Sequence, residues 1–262
     1  MIVKEIMSEN PVYVTENDFI THARQLIRDR YFRSLPVVDK QNRVIGILTD
    51  QDVLKIYSTR SNVTISGFVQ EYPIITPETE ITNAVRLMLK PEQEVLPVVK
   101  SLQDKTLIGI VSIVDIFKNL FIIKKAPSIK VGSIMTTDVI TCSNKDPVSK
   151  VWLNMNQYGY SGIPVLSDKG ELVGIITRRD VIKAGYARLK KEDERGLHSS
   201  GSPKVERIMS TPVHTVTPET SIKDAIELLL QFEIGRLIVV DKIHNNKMVG
   251  IIDRYDLIKC SE

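Results

Sequence analysis

Gly46-Ile47-Leu48-Thr49-Asp50-Gln51-Asp52 is the stretch that decides the fold, because the chain writes it again three times. It returns as Gly109-Ile110-Val111-Ser112-Ile113-Val114-Asp115, as Gly174-Ile175-Ile176-Thr177-Arg178-Arg179-Asp180 and as Gly250-Ile251-Ile252-Asp253-Arg254-Tyr255-Asp256. A glycine, two aliphatic residues, a short polar residue, two variable residues and an aspartate recur at spacings of 63, 65 and 76 residues. A period of that size marks a tandem array of one supersecondary unit. The register upstream is equally tight: Ala23, Ala84, Val151 and Ala225 each stand thirteen residues before Pro36, Pro97, Pro164 and Ile238. Helix length and strand start are therefore held constant across four copies of one fold.

Working outward gives the elements of the unit. Ser221-Ile-Lys-Asp224 is a capping-box-like start, and Ile222, Ala225, Ile226 and Leu229 follow at helical spacing. The first copy shows the same face at Ile20, Ala23, Ile27 and Tyr31. A short aliphatic run comes next, such as Leu35-Pro-Val-Val38, with proline near the strand start where a missing amide is tolerated. A polar turn and a second aliphatic run lead into the motif, which reads as a hairpin, and a second helix follows the Thr-x-x-Asp. A leading element such as Val205-Glu-Arg-Ile-Met-Ser210 and a short extended piece complete each unit. The class is α+β, with a three-stranded sheet and helices on one face. Units of about 60 residues are marginal alone, so the first and second should pair, and the third and fourth likewise.

Composition sets the bounds. The chain has 262 residues, 42% of them hydrophobic, a net charge of +3 and a pI near 8.7. That mild basicity allows contact with nucleotides or nucleic acid without demanding it. Cys142 and Cys260 match no metal or redox spacing, and no signal-peptide pattern opens the sequence, which points to a reducing cytoplasm. No apolar run reaches the roughly 18 residues that span a membrane. The segment 190–204 reads as the longest linker, its first part extending a helix up to Gly196 and the stretch from His198 to Pro203 being flexible.

The repeat resembles the cystathionine-β-synthase (CBS) domain over nearly all of the chain. The resemblance implies CBS units at 1–60, 61–123, 128–190 and 205–262, with a linker at 191–204. They would pair into two Bateman modules, disc-like as in the gamma subunit of the AMP-activated kinase. It further implies clefts for adenosine-containing ligands: AMP, ADP or ATP, with S-adenosylmethionine as an alternative. An ionised carboxylate can accept a hydrogen bond from each of two neighbouring ribose hydroxyls. By the resemblance that carboxylate is Asp52, Asp115, Asp180 or Asp256, and the hydroxyls of Thr49, Ser112 and Thr177 donate to phosphate or ribose. The motif opens a helix, whose free amides would favour phosphate. Adenine would lie on aliphatic strand residues, its edge read by backbone groups of Ser34 and Leu35, or of Ser161, Gly162 and Ile163. Thr-x-x-Asp is also a simple helix cap, and the two roles are compatible.

The four sites differ. The third adds Arg178, Arg179 and Lys183, which makes it the best phosphate site. The first has acidic Asp50, with Lys55 the nearest cation, and the second has apolar Ile113 and Val114. In the fourth, Asp253 replaces the hydroxyl, offset in part by Arg236 and Arg254. Phosphate-binding loops and hydrolase or metalloprotease motifs are absent from the sequence, which argues against an enzyme. His22 and His214 read as surface or packing residues, and Trp152 as core. Three readings follow: a regulatory sensor acting on an effector protein, a nucleic-acid- or ribosome-associated factor, or a scaffold with empty clefts. The RNA reading draws on Lys124, Lys125, Lys130, Lys190 and Lys191 but lacks an aromatic-studded basic stripe. A homodimer with modules paired between chains is a further expectation.

Overall fold

The computed structural model describes residues 1–54, 62–89, 93–123, 128–185, 202–243 and 247–260. Lys55, His198, His244 and most of the expected 191–204 linker lie outside these residues, as do Lys124, Lys125, Lys190 and Lys191. The chain forms two compact units, Met1–Lys125 and Ala126–Glu262, each holding two repeats.

The first repeat runs through a 3-10 turn at Val3–Glu5, then β1 (Ser8–Glu9), β2 (Val14–Thr15), α1 (Ile20–Arg30), β3 (Ser34–Val38), β4 (Val44–Thr49) and α2 (Asp50–Leu54). The second has a 3-10 turn at Ile65–Phe68, α3 (Ile81–Leu89), β5 (Val95–Val99), β6 (Leu107–Ser112) and α4 (Ile113–Ile123). The third has a turn at Val131–Ser133, β7 (Cys142–Ser143), α5 (Val148–Tyr158), β8 (Gly162–Leu166), β9 (Leu172–Thr177) and α6 (Arg178–Lys183). The fourth has a turn at Val205–Arg207, β10 (Thr215–Val216), α7 (Ile222–Gln231), β11 (Arg236–Asp241), β12 (Lys247–Asp253) and α8 (Arg254–Lys259).

Three sheets share one plan, β2-β3-β4, β7-β8-β9 and β10-β11-β12, with the first pair parallel and the hairpin antiparallel. In the second repeat the parallel piece shrinks to one bridge, Ile75 to Val98, and β1 of the first repeat takes the outer edge of β6. Every hairpin is bulged at the same place, which inserts Ile45, Ile108, Val173 or Val249 immediately before the motif glycine.

The helical faces read from the sequence are buried. Ile20, Ala23 and Ile27 of α1 pack with Leu35, Val37 and Leu48, and the third repeat places Val148, Val151, Trp152 and Met155 in its interior. Tyr31 is the exception. It caps α1 in the left-handed region (φ 56°) and is exposed, because the chain turns there to enter β3. The second helices also start earlier than the sequence suggested, directly after Thr49, Ser112, Thr177 and Asp253, so the motif aspartate lies inside the first turn. No helix among the described residues is long and apolar enough to cross a membrane.

Each repeat sends its leading segment onto its partner. The amide of Val3 donates to Thr79 O at 2.8 Å, and reciprocally Ile65 N donates to Asp18 O at 2.9 Å. In the second unit Val131 N donates to Thr220 O at 2.9 Å and Val205 N to Asp146 O at 3.0 Å. The segment then crosses the partner's motif strand one residue past the glycine: Ser8 opposite Ile110, Gln70 opposite Ile47, Thr136 opposite Ile251 and Ser210 opposite Ile175. This crossing is why the motif begins with glycine. A Cβ at Gly46 would stand 2.3 Å from the carbonyl oxygen of Gln70, and one at Gly250 2.9 Å from that of Thr136. At Gly174 it would meet the Met209 sulfur at 2.5 Å, and at Gly109 the Met7 sulfur at 3.0 Å. Only glycine lets two backbones approach so closely.

The four clashes differ in what must move, so alanine substitutions should rank. Gly46→Ala meets fixed backbone and should cost about 3 kcal/mol, whereas Gly109→Ala meets mainly a flexible methionine and should cost about 1 kcal/mol. Urea midpoints at constant m-value measure this. Equal losses would contradict the close-approach account.

Candidate functional site

The motif is built as a reciprocal cap. In the third repeat, Asp180 Oδ2 accepts from the Thr177 amide at 2.7 Å and from its hydroxyl at 2.6 Å, while Thr177 Oγ1 accepts from the Asp180 amide at 3.2 Å. Asp115 and Ser112 repeat this at 2.9, 2.6 and 3.2 Å. Thr49 and Asp52 do likewise, with the Asp52 amide donating to Thr49 Oγ1 at 3.2 Å. The fourth repeat keeps the cap with a carboxylate: Asp253 Oδ1 accepts from the amides of Tyr255 and Asp256 at 2.8 and 3.2 Å. The substitution that sets the fourth motif apart thus preserves its helix start, since capping needs only an acceptor. The hydroxyl protons of Thr49, Ser112 and Thr177, expected to face a ligand, are here donated to the motif carboxylate.

The second oxygen of the carboxylate belongs to the neighbouring repeat. Gln70 Nε2 donates to Asp52 Oδ1 at 3.0 Å, and Ser210 Oγ to Asp180 Oδ1 at 3.0 Å. Both donors lie on the crossing segments. The sequence reading missed them, although a signal existed: the four crossing positions are Ser8, Gln70, Thr136 and Ser210, every one able to hydrogen bond.

Across each hairpin, the residue opposite the motif hydroxyl (or opposite Asp253) sets the local chemistry. These residues are Ser34 opposite Thr49, Val95 opposite Ser112, Gly162 opposite Thr177 and Arg236 opposite Asp253. Ser34 Oγ is buried and finds no hydrogen-bond partner among the described residues. In the second unit, Arg236 Nη1 donates to the Gly162 carbonyl at 3.1 Å and Nη2 to Ser161 Oγ. A Cβ at Gly162 would stand 2.7 Å from Nη1, so glycine admits the guanidinium. Arg236 of the fourth repeat thus touches Ser161 and Gly162 of the third, and Gly162 pairs with Thr177, which is bonded to Asp180. Leu35 and Ile163 are core residues, so only their backbone could serve a ligand. Asp115 and Asp256 cap their own helices in the second and fourth repeats.

Arg178 sits elsewhere than the sequence suggested. It is 4% exposed and donates to Tyr160 O and Met155 O, each at 2.9 Å, fixing the turn between α5 and β8. Its guanidinium thus stabilises the end of α5, while Arg179 stays at the surface. In the first unit Arg33 is paired with Glu94 of the second repeat. His214 stacks on Phe232 with ring centroids 3.9 Å apart, a packing role. Burial, with the Asp146 charge adding, pushes the Cys142 thiol up to about 12, so it stays protonated and inert at neutral pH.

A family model for the CBS domain matches residues 3–59, 66–122, 131–187 and 205–262. An uncharacterized protein of Methanocaldococcus jannaschii is 28% identical over 263 residues, which is 98% of this chain and 61% of that relative. The chain therefore spans about three-fifths of that relative's length. The inosine-5'-monophosphate dehydrogenase of the same organism is 33% identical over 130 residues, 50% of this chain and 23% of the enzyme. Among solved structures, a M. jannaschii protein proposed in its description to be an archaeal homologue of γ-AMPK has a TM-score of 0.79 at 23% identity, covering 99% of each chain. A conserved protein of Pyrococcus horikoshii has a TM-score of 0.69 at 21% identity, covering 100% of each chain. At those identities the likeness is one of fold. With four matched segments that between them take in most of its length, the chain belongs to the CBS domain family and carries four copies of the domain.

Proposed function

We propose that the chain is a non-enzymatic, cytoplasmic regulatory module that binds an adenine nucleotide, AMP, ADP or ATP, and acts on a partner protein. The observation that carries this reading is the convergence of Arg236 with Ser161 and Gly162, Gly162 being paired across the hairpin with Thr177, whose hydroxyl is bonded to Asp180. In this reading the Asp180 carboxylate takes ribose hydroxyls and the fork-shaped Arg236 guanidinium takes phosphate. Backbone groups of Ser161, Gly162 and Ile163 take the base edge, and Arg178 holds the turn that presents them.

The first cleft has Thr49, Asp52 and the buried, unpartnered hydroxyl of Ser34, with the Leu35 backbone beside it. Its cation Arg33 is engaged by Glu94, so this cleft binds phosphate more weakly. Ser112 with Asp115, and Asp256, form the second and fourth clefts. Val95 offers phosphate no partner in the second, and in the fourth Arg236 stands opposite Asp253, whose charge has the same sign as phosphate, so those clefts are the weakest.

Phosphate entering the third cleft takes Arg236 from Ser161. That loosens a link between the third and fourth repeats, and the two arrangements then differ in nucleotide affinity, as a population shift requires. The partner reads the difference.

Thermal shift with AMP, ADP, ATP, GTP and S-adenosylmethionine tests the reading. A ligand at a hundred times its dissociation constant should add about 2.7 kcal/mol. Asp180→Asn keeps an oxygen acceptor for the cap and loses the charge, so the ligand-induced shift should shrink by more than the baseline midpoint. If no ligand moves the wild-type midpoint at millimolar concentration, the reading fails.

Arg236→Ala separates the phosphate from the nucleoside. AMP affinity should fall about tenfold or more while adenosine affinity stays unchanged, as expected for loss of a charge-assisted bond. Equal losses for both ligands would remove Arg236 from the site.

A further inference from the structure

The two hairpins of a unit meet at three stations along the motif strands: base, crossing and tip. The crossing residues Ile47, Ile110, Ile175 and Ile251 stand two residues from the base and three from the tip, about 7 and 10 Å away. In the first unit the tips are joined. Val44 N donates to Lys105 O at 2.8 Å, Leu107 N to Asn42 O at 3.0 Å and Asn42 Nδ2 to Leu107 O at 3.4 Å, with Arg43 paired to Thr106. The two residues whose backbone carbonyls accept from the other hairpin's amides, or donate no carbonyl elsewhere in the turn, are both left-handed: Asn42 (φ 60°) and Lys105 (φ 56°). At this clasp Val38, Val44, Val99 and Leu107 form a small core of their own, with Ile74 packed against it.

The second unit has the same turn without the clasp. Gly170 holds the place of Asn42 and is left-handed too (φ 77°), yet a Cβ there would meet nothing within 4 Å. Among the described residues no bridge joins Gly170 or Glu171 to Lys247 or Met248. Leu172 and Met248 are partly exposed, where their counterparts Val44 and Leu107 are buried. At the base the balance is reversed. The first unit has the Arg33–Glu94 ion pair, whose side chains are open to solvent and which holds weakly. The second has Arg236, bonded to the Gly162 carbonyl and the Ser161 hydroxyl. Two hairpins fixed at crossing and tip cannot pivot on each other. Fixed at the crossing and by one side chain at the base, they can pivot once that side chain leaves.

We propose that the tip clasp locks the first unit into one arrangement of its hairpins, and that the unclasped second unit is the moving part, pivoting on its crossing segments when Arg236 lets go of Ser161 and Gly162. The proposal rests on the nucleotide reading only for what releases Arg236. The first unit is then a fixed support and the second carries the response.

Residue-resolved hydrogen exchange on the full chain tests this without any ligand, so failure of the nucleotide reading leaves the test intact. In the wild type the Val44 and Leu107 amides should exchange at least about tenfold more slowly than those of Leu172 and Met248, as expected for one hydrogen bond to backbone. Arg236→Ala should speed exchange at the crossing amides Ile175, Ser210, Thr136 and Ile251 about tenfold while the β8 amides change less. Arg33→Ala should leave the crossing amides Ile47 and Gln70 unchanged, because the clasp still holds. Adding Leu107→Ser, or the milder Asn42→Gly that keeps the left-handed turn, should make those two amides respond. Equal exchange at the two pairs of tips overturns the proposal. So does an equal effect of Arg33→Ala and Arg236→Ala on their own crossings, or an Arg236→Ala effect that β8 shares in full, which would be plain loss of stability.

Discussion

The structure depends on an exchange. Each repeat lays its leading segment across the motif strand of its partner, and the hydrogen bonds at Ser8, Gln70, Thr136 and Ser210 hold the two hairpins of a unit together. A three-stranded sheet of about 60 residues has little apolar surface to bury alone. By donating a segment, each repeat covers its partner's strand edge and satisfies backbone groups that would otherwise face solvent. The glycine that opens the motif, the bulge before it and the methionine over it at Met7, Met135 and Met209 are all consequences of that approach.

The carboxylate that ends the motif has a structural and a candidate chemical role at once. Its Oδ2 locks the start of a helix, which leaves Oδ1 aimed in a fixed direction and already touched by the partner repeat in two of the four cases. A side chain held from behind by two hydrogen bonds loses little freedom when a ligand arrives, which favours binding. Capping and the proposed recognition would therefore reinforce one another, and at Asp253 the cap survives while the hydroxyl is lost.

Most of the fold was legible because its signals are local. Helix starts, hairpins and the buried stripe at Ile20, Ala23 and Ile27 are written within a few residues of each other. Departures came where distant chain segments decide. Tyr31 sits at helical spacing, yet the entry into β3 turns it out. Arg178 looks like a cleft cation in the linear sequence, and only the folded turn after α5 shows its partners to be backbone carbonyls. Gln70 and Ser210 recur with Ser8 and Thr136 at the repeat period, but each acts on a motif in another repeat, and the recurrence alone does not say which motif it reaches.

The exchange also governs when the first unit can exist. Strand β1, at Ser8–Glu9, completes its pairing only with Gly109 and Ile110 of β6. Non-local pairing of that kind is slow, since the loop must close before any contact rewards it. On a ribosome adding roughly 5–20 residues per second, about 100 further residues take on the order of 5–20 seconds to be made. Throughout that interval the first repeat's leading segment has no strand to lie on, and the strand edge that Gln70 will cover is bare until the second repeat arrives. The smallest piece of this protein that can mature during synthesis is the pair, and the chain is born in two instalments rather than four.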